Sequence, residues 1–253
     1  MKDKMNEKLI VALDVATFDE AKKIIDALAP AVEIFKVGSQ LFTACGPVSV
    51  RYILAKGKKV FLDLKYHDIP NTVANAVAAA VALGEMGHDV LNDKGEKLAH
   101  KGELFMLTLH TVGGKEMLLA AAQAAQKQAD RLKIKKPFLV GITVLTSEAK
   151  NDNIRDLVLA RARLAKDAGL DGVVCASEEA AWVRKEFGKD FVIVTPGIRP
   201  AGSSAGDQKR VTTPTDAIKN GSNFLVVGRP IVEAADPLKA AKDVLEEIRA
   251  VKI

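Results

Sequence analysis

Eight short apolar runs recur along the 253-residue chain, each followed by a stretch of helical character, and this alternation constrains the fold more than any other feature. The runs are LIVALDV (9–15), EIFKVG (33–38), KVFLDLK (59–65), LFMLTLHT (104–111), FLVGITV (138–144), GVVCAS (172–177), FVIVTPG (191–197) and FLVVGR (224–229). Between them lie Ala-rich segments such as PNTVANAVAAAVALG and NIRDLVLARARLAKDAG. Eight βα units in a chain of this length predict an α/β protein with a single closed (β/α)8 TIM barrel spanning residues 1–253. A doubly wound open sheet needs fewer strands and a Gly-rich first turn, and ALDVAT after the first run carries no glycine. No linker or compositional break divides the chain.

At 48% hydrophobic and 27% charged residues, the composition excludes disordered and fibrous classes. The formal net charge of +5 suits an anionic partner, but the lysines are spread along the chain, with only short runs such as KIKK at 133–136, so nucleic-acid binding is not predicted. Cys45 and Cys175 are far apart, with no ligand-type spacing, and read as reduced thiols with no metal site. No apolar stretch approaches the roughly 18 residues of a membrane span, and the N-terminus turns charged within a few residues. A soluble cytoplasmic protein without membrane association is expected.

Two segments exceed ordinary loop length. Residues 85–103, polar and Lys-rich, enter the fourth run and belong at the bottom of a barrel; residues 198–212 leave the seventh run and belong at the top, where barrel enzymes hold their chemistry. The second is the expected active-site lid, with Gly202 and Gly206 supplying mobility.

Polar groups gather at the C-terminal ends of the runs: Asp14 after the first, Lys36 in the second, Asp63 and Lys65 in the third, Thr146 after the fifth, Pro196 and Arg199 at the seventh, Gly228 and Arg229 at the eighth. Singly, each has an ordinary explanation. Asp14 could cap the first helix, Lys36 could extend its ammonium to solvent, and Asp68 before Ile69 and Pro70 looks like an N-cap. Together they demand pairing, because charges in buried strands need partners, and Asp14, Lys36, Asp63 and Lys65 supply two of each sign. On a strand, positions two apart share a face, so Asp63 and Lys65 project together. VVGRP in the eighth unit puts a glycine and an arginine where barrels commonly grip a phosphate monoester.

With these residues in view, the chain closely resembles the orotidine 5'-monophosphate decarboxylase family. LDLKYHDIPNTV is similar to that family's Asp-x-Lys-x-x-Asp signature, and VALDV, FKVG, TVLTS, TPGIRP, GDQKR and VVGRPI match in order around it, from about Leu9 to Val251. The segment 85–103 looks longer than in typical members. The resemblance implies a homodimer that converts orotidine 5'-monophosphate to UMP and CO2 without metal or cofactor. It implies that Asp14 and Lys36 serve the ribose and the charge network, that Lys65 donates the proton to C6, and that Asp63 stands near the departing carboxylate. It further implies that Asp68 and Thr72 enter the neighbouring subunit's site, that Thr146 lies near the base, that Arg199 and Gln208 are lid residues reaching the phosphate, and that Gly228 and Arg229 grip it.

The implied chemistry explains the charge pattern. Loss of CO2 from C6 leaves an in-plane carbanion with no π-system to spread it, so the site must stabilise charge electrostatically. Two other readings remain open to this residue pattern. One is a metal-dependent barrel similar to the 3-keto-L-gulonate 6-phosphate decarboxylases, although Lys36 would repel a magnesium ion. The other is a non-catalytic protein that binds nucleotides or RNA.

Overall fold

The eight apolar runs form eight parallel strands: β1 (Leu9–Ala12), β2 (Ile34–Gly38), β3 (Lys59–Tyr66), β4 (Glu103–His110), β5 (Phe138–Ile142), β6 (Gly172–Val174), β7 (Val192–Thr195) and β8 (Phe224–Val227). They pair in sequence order, and β8 pairs back onto β1 through Leu225 opposite Leu9, so the sheet closes into a barrel. The computed structural model describes residues 7–84, 102–145, 153–200 and 212–251. Closure removes every sheet edge, and each strand can then be apolar on both faces.

Helices sheath the barrel: α1 (Phe18–Leu28), α2 (Ser39–Cys45), α3 (Val48–Ala55), α4 (Pro70–Ala82), α5 (Gly114–Leu132), α6 (Ile154–Asp167), α7 (Ser177–Phe187), α8 (Pro214–Lys219), α9 (Arg229–Val232) and α10 (Pro237–Ala250). Their starts are written locally. Thr17 caps α1, accepting from the Glu20 N–H at 3.3 Å while Glu20 Oε2 accepts from the Thr17 N–H at 3.1 Å. Asp236 caps α10, where Pro237 occupies the first turn. The longer helices turn an apolar stripe onto the barrel, as Ala21, Ile25 and Leu28 do from α1.

Strand alternation divides the interior in two. On β1, Leu9 and Val11 point outward into the large core shared with the helices, whereas Ile10 and Ala12 point inward. The inward set, including Ile34, Phe61, Met106, Val140, Val194 and Val226, forms a small apolar plug inside the barrel. The charged residues occupy the next inward positions above it: Asp14 above Ala12, Lys36 above Ile34, Asp63 above Phe61, and Gly228 above Val226. The site is thus the top layer of the barrel filling.

Several details differ from the sequence-based expectation. Asp14 does not cap α1, because Thr17 does. Asp68 is not the N-cap of α4: Ile69 holds that position, and Asp68 Oδ1 accepts from the Ile69 N–H at 2.6 Å. The short helices α2 and α9 were not expected. Of the two long segments, 85–101 and 201–211 lie outside the described residues, while Glu103 already belongs to β4. The base of 198–212 is closed by a bridge from Ile198 to Thr212 and by the Arg199 N–H donating to the Thr212 carbonyl at 3.0 Å.

Candidate active site

Four charges of alternating sign form a continuous chain across the barrel mouth. Lys36 Nζ lies 3.0 Å from Asp14 Oδ1 and 3.4 Å from Asp63 Oδ2. Lys65 Nζ lies 2.9 Å from both oxygens of Asp63. Lys36 and Asp63, each 8% exposed, are the buried centre; Asp14 and Lys65 are the open ends.

Burial by itself would pull the Lys36 ammonium down, but the carboxylates of Asp63 and Asp14 outweigh it and hold this lysine above its usual value. Burial by itself would likewise raise Asp63. Lys36 and Lys65, with hydrogen bonds from Lys65 and Thr108, overcome that and hold it below the ordinary carboxylate value. Both central groups stay charged because each neutralises the other.

Backbone geometry sets the ends of this chain. Lys65 has φ +51°, a left-handed conformation uncommon for a residue with a side chain. It lies where the β3–β4 register shifts: Leu62 faces Leu107, and the next partners are Tyr66 and Leu109. Gly38, the last residue of β2, leaves room for the Lys36–Asp14 pair. A Cβ there would lie 2.9 Å from Lys36 Nζ and 3.2 Å from Asp14 Oδ1.

Across the mouth stand two guanidinium groups. Arg199, 6% exposed, follows β7 just beyond Gly197, whose φ of +76° suits a glycine; Arg229 opens α9 immediately after Gly228. Burial first and the nearby Arg229 second push Arg199 below the usual arginine value, while Glu233 offsets part of this. Two cations converging on one pocket wall favour a ligand with more than one negative charge. Because α9 is a single turn, its contribution is local N–H groups and Arg229 rather than a long-helix dipole.

Both charged regions line one cavity of about 520 Å³, the size of a pocket for a mononucleotide-scale ligand. Its walls include Asp14, Lys36, Asp63, Lys65, Pro196, Arg199, Gly228 and Arg229, all singled out from sequence. They also include Gln40, Cys175 and Glu233, which sequence reasoning missed. Asp68 and Thr72 are exposed near the start of α4 and do not line it. Thr146 and Gln208 lie outside the described residues.

The family model described as Orotidine 5'-phosphate decarboxylase / HUMPS family matches residues 7–244. The chain belongs to this family. Similar proteins named orotidine 5'-phosphate decarboxylase include one from Moorella thermoacetica, 44% identical over 97% of this chain and 94% of its own length. Another, from Coxiella burnetii, is 42% identical over 98% of this chain and 99% of its own. The crystal structure of orotidine 5'-phosphate decarboxylase from Lactobacillus acidophilus is similar to the fold, with a TM-score of 0.77 at 33% identity, covering 96% of this chain and all of that one (100%).

For a member of the Orotidine 5'-phosphate decarboxylase / HUMPS family, the donor set around Asp14 and Asp63 is notable. Both carboxylates are already bridged by an ammonium. Among the described residues, no cluster of three or more His, Cys, Asp or Glu side chains suits a metal ion, and no helix is long and apolar enough to cross a membrane.

Proposed function

We propose that the protein decarboxylates orotidine 5'-monophosphate to uridine 5'-monophosphate and CO2, the closing step of UMP synthesis, without metal or cofactor and in the cytoplasm. The observation that carries this reading is the alternating Asp14–Lys36–Asp63–Lys65 chain facing Arg199 and Arg229 across a single cavity. Family membership and the relatives' names support it.

The phosphate binds Arg229, Arg199 and the Gly228 turn, with Gln208 joining from the segment 198–212 as it closes. Asp14 and Lys36 hold the ribose. The pyrimidine then sits with C6 toward Lys65 and its carboxylate toward Asp63, while Pro196 and Thr146 border the base. The C6–carboxylate bond breaks, its electron pair stays on C6, and CO2 departs. Lys65 stabilises that pair and transfers a proton from Nζ to C6; the neutral amine regains a proton from water. No electron sink is needed, because a fixed ammonium lies where the charge develops. Binding at the remote phosphate draws the pyrimidine against this charged layer and excludes water.

Asp68 and Thr72, exposed at the start of α4, reach the active site of a second copy, so the working unit is a homodimer of single-domain (β/α)8 barrels. The exposed Ile69 beside them, 65% accessible, is consistent with a covered face. The metal-dependent alternative would have to displace Lys36 from between Asp14 and Asp63.

The deciding experiment follows the absorbance of orotidine 5'-monophosphate with the protein and a chelator. Turnover under chelation is the expected result. Activity only after adding a divalent cation would favour the metal-dependent reading, and no turnover under either condition would remove the proposal.

A further inference from the structure

Thr108 sits on β4 at an inward position directly above Met106, fully buried, and makes two hydrogen bonds to β3. Its Oγ1 accepts from the Lys65 backbone N–H at 2.8 Å and donates to Asp63 Oδ1 at 3.0 Å. One hydroxyl has one proton to give and lone pairs to receive with, so both bonds form at once.

These bonds fall where regular pairing is interrupted. From Leu62–Leu107 to Tyr66–Leu109, β3 advances four residues while β4 advances two, and Thr108 is the residue opposite the surplus. The Lys65 N–H, turned out of the ladder by the φ of +51°, would be left without a strand partner; the Thr108 hydroxyl takes that place. The same oxygen fixes one Asp63 oxygen, and both Asp63 oxygens hold Lys65 Nζ. Thr108 therefore ties the backbone of the lysine to the carboxylate that orients its ammonium.

We propose that Thr108 is a positioning residue for the proton donor: its hydroxyl staples the β3 bulge so that the Lys65 ammonium and the Asp63 carboxylate meet at one point of the cavity. Thr108 does not line the cavity. It acts through Lys65 and Asp63, and a change there should affect the chemical step more than phosphate-driven binding. This inference rests on the proposed decarboxylation only for its kinetic expression; the geometry it describes is independent of substrate.

The test compares Thr108→Val, which keeps the shape and loses both bonds, with Thr108→Ser, which keeps both. Crystal structures and steady-state kinetics are measured for both, with thermal melts to confirm folding. In the Val variant, Lys65 should leave its left-handed conformation or lose its two-oxygen contact with Asp63. Its kcat should drop about 100-fold with KM changed by less than about threefold, and the Ser variant should stay within about threefold of wild type in both. If Val proves too crowded to fold, Thr108→Ala carries the same comparison. An unaltered Lys65–Asp63 arrangement in the variant lacking the hydroxyl overturns the assignment, as does a wild-type kcat, or a Ser variant as impaired as Val. Should the wild-type protein fail to turn over orotidine 5'-monophosphate, the proposed reaction falls, and the crystallographic comparison alone still decides the role of Thr108.

Discussion

Lys65 Nζ is chelated by both oxygens of Asp63, two residues earlier on the same strand, at 2.9 Å each. The lysine is cationic and placed before any ligand arrives, which is what a proton donor to a carbanion requires. Lys65→Ala should lower kcat by at least about 10⁴-fold while leaving the thermal melt near wild type, since the ammonium end of the side chain faces the cavity rather than the core. A single-turnover assay measures it. Retention of even a tenth of the rate would remove Lys65 from the role.

Arg229 and Arg199 converge on the opposite wall. Arg229→Ala should weaken binding of uridine 5'-monophosphate by about 10–100-fold and barely change binding of uridine, because in the proposed complex only the phosphate meets the guanidinium. Calorimetric titration with both ligands separates the cases; equal losses would place Arg229 elsewhere in recognition.

Asp68 and Thr72 lie outside the cavity of their own chain. In the proposed homodimer, mixing Asp68→Ala and Lys65→Ala proteins, each expected to be inactive, should therefore regenerate about one quarter of wild-type activity at equal amounts, since half the dimers would be mixed and each mixed dimer would have one complete site. Native mass spectrometry checks that subunits exchange. Exchange without recovered activity would count against a shared site.

The steric margin at Gly38 is small: an added Cβ would fall 2.9 Å from Lys36 Nζ. The backbone at Gly38 (φ −94°, ψ −179°) suits any residue, so Gly38→Ala should fold normally. Its methyl would displace the ammonium, and kcat/KM should fall about 10–100-fold. Kinetics and a thermal melt together distinguish this from unfolding, and an unimpaired variant would mean that the pair shifts without consequence.

Asp63 is held below the ordinary carboxylate value of 3.8 that the unfolded chain restores. Its contribution to stability is therefore complete above that value and is lost as pH falls toward the lower folded value. Melting temperatures should decline with acid below about pH 4, and Asp63→Asn should flatten that part of the decline while lowering stability at neutral pH, because Lys36 loses its buried partner. A pH series of thermal melts for both proteins measures the difference. Parallel curves would show that Asp63 is not the linked group.

The barrel was legible because its strands are short, apolar and β-branched, and because each is followed by a helix with an amphipathic stripe. The helices α2 and α9 were hidden for the converse reason, since segments of one or two turns carry too little periodicity to register. The charged layer was legible through sign pairing: two acids and two lysines inside buried strands require one another. Thr108 was not, although the inward parity of Met106 marks it, because its role depends on a cross-strand register that no local pattern encodes. The left-handed backbone at Lys65 was hidden too, for there is no glycine to announce it.

The inward plug of Ile10, Ile34, Phe61, Met106, Val140, Val194 and Val226 lies directly beneath the charged layer. Hydrocarbon cannot reorient to solvate an orphaned ion, so the loss of one member leaves its neighbours without relief from below. Loss of Lys36 or Asp63 alone should consequently cost more folding stability than loss of both together, whereas Asp14 and Lys65, at the open ends of the row, can turn to water when a partner is lost.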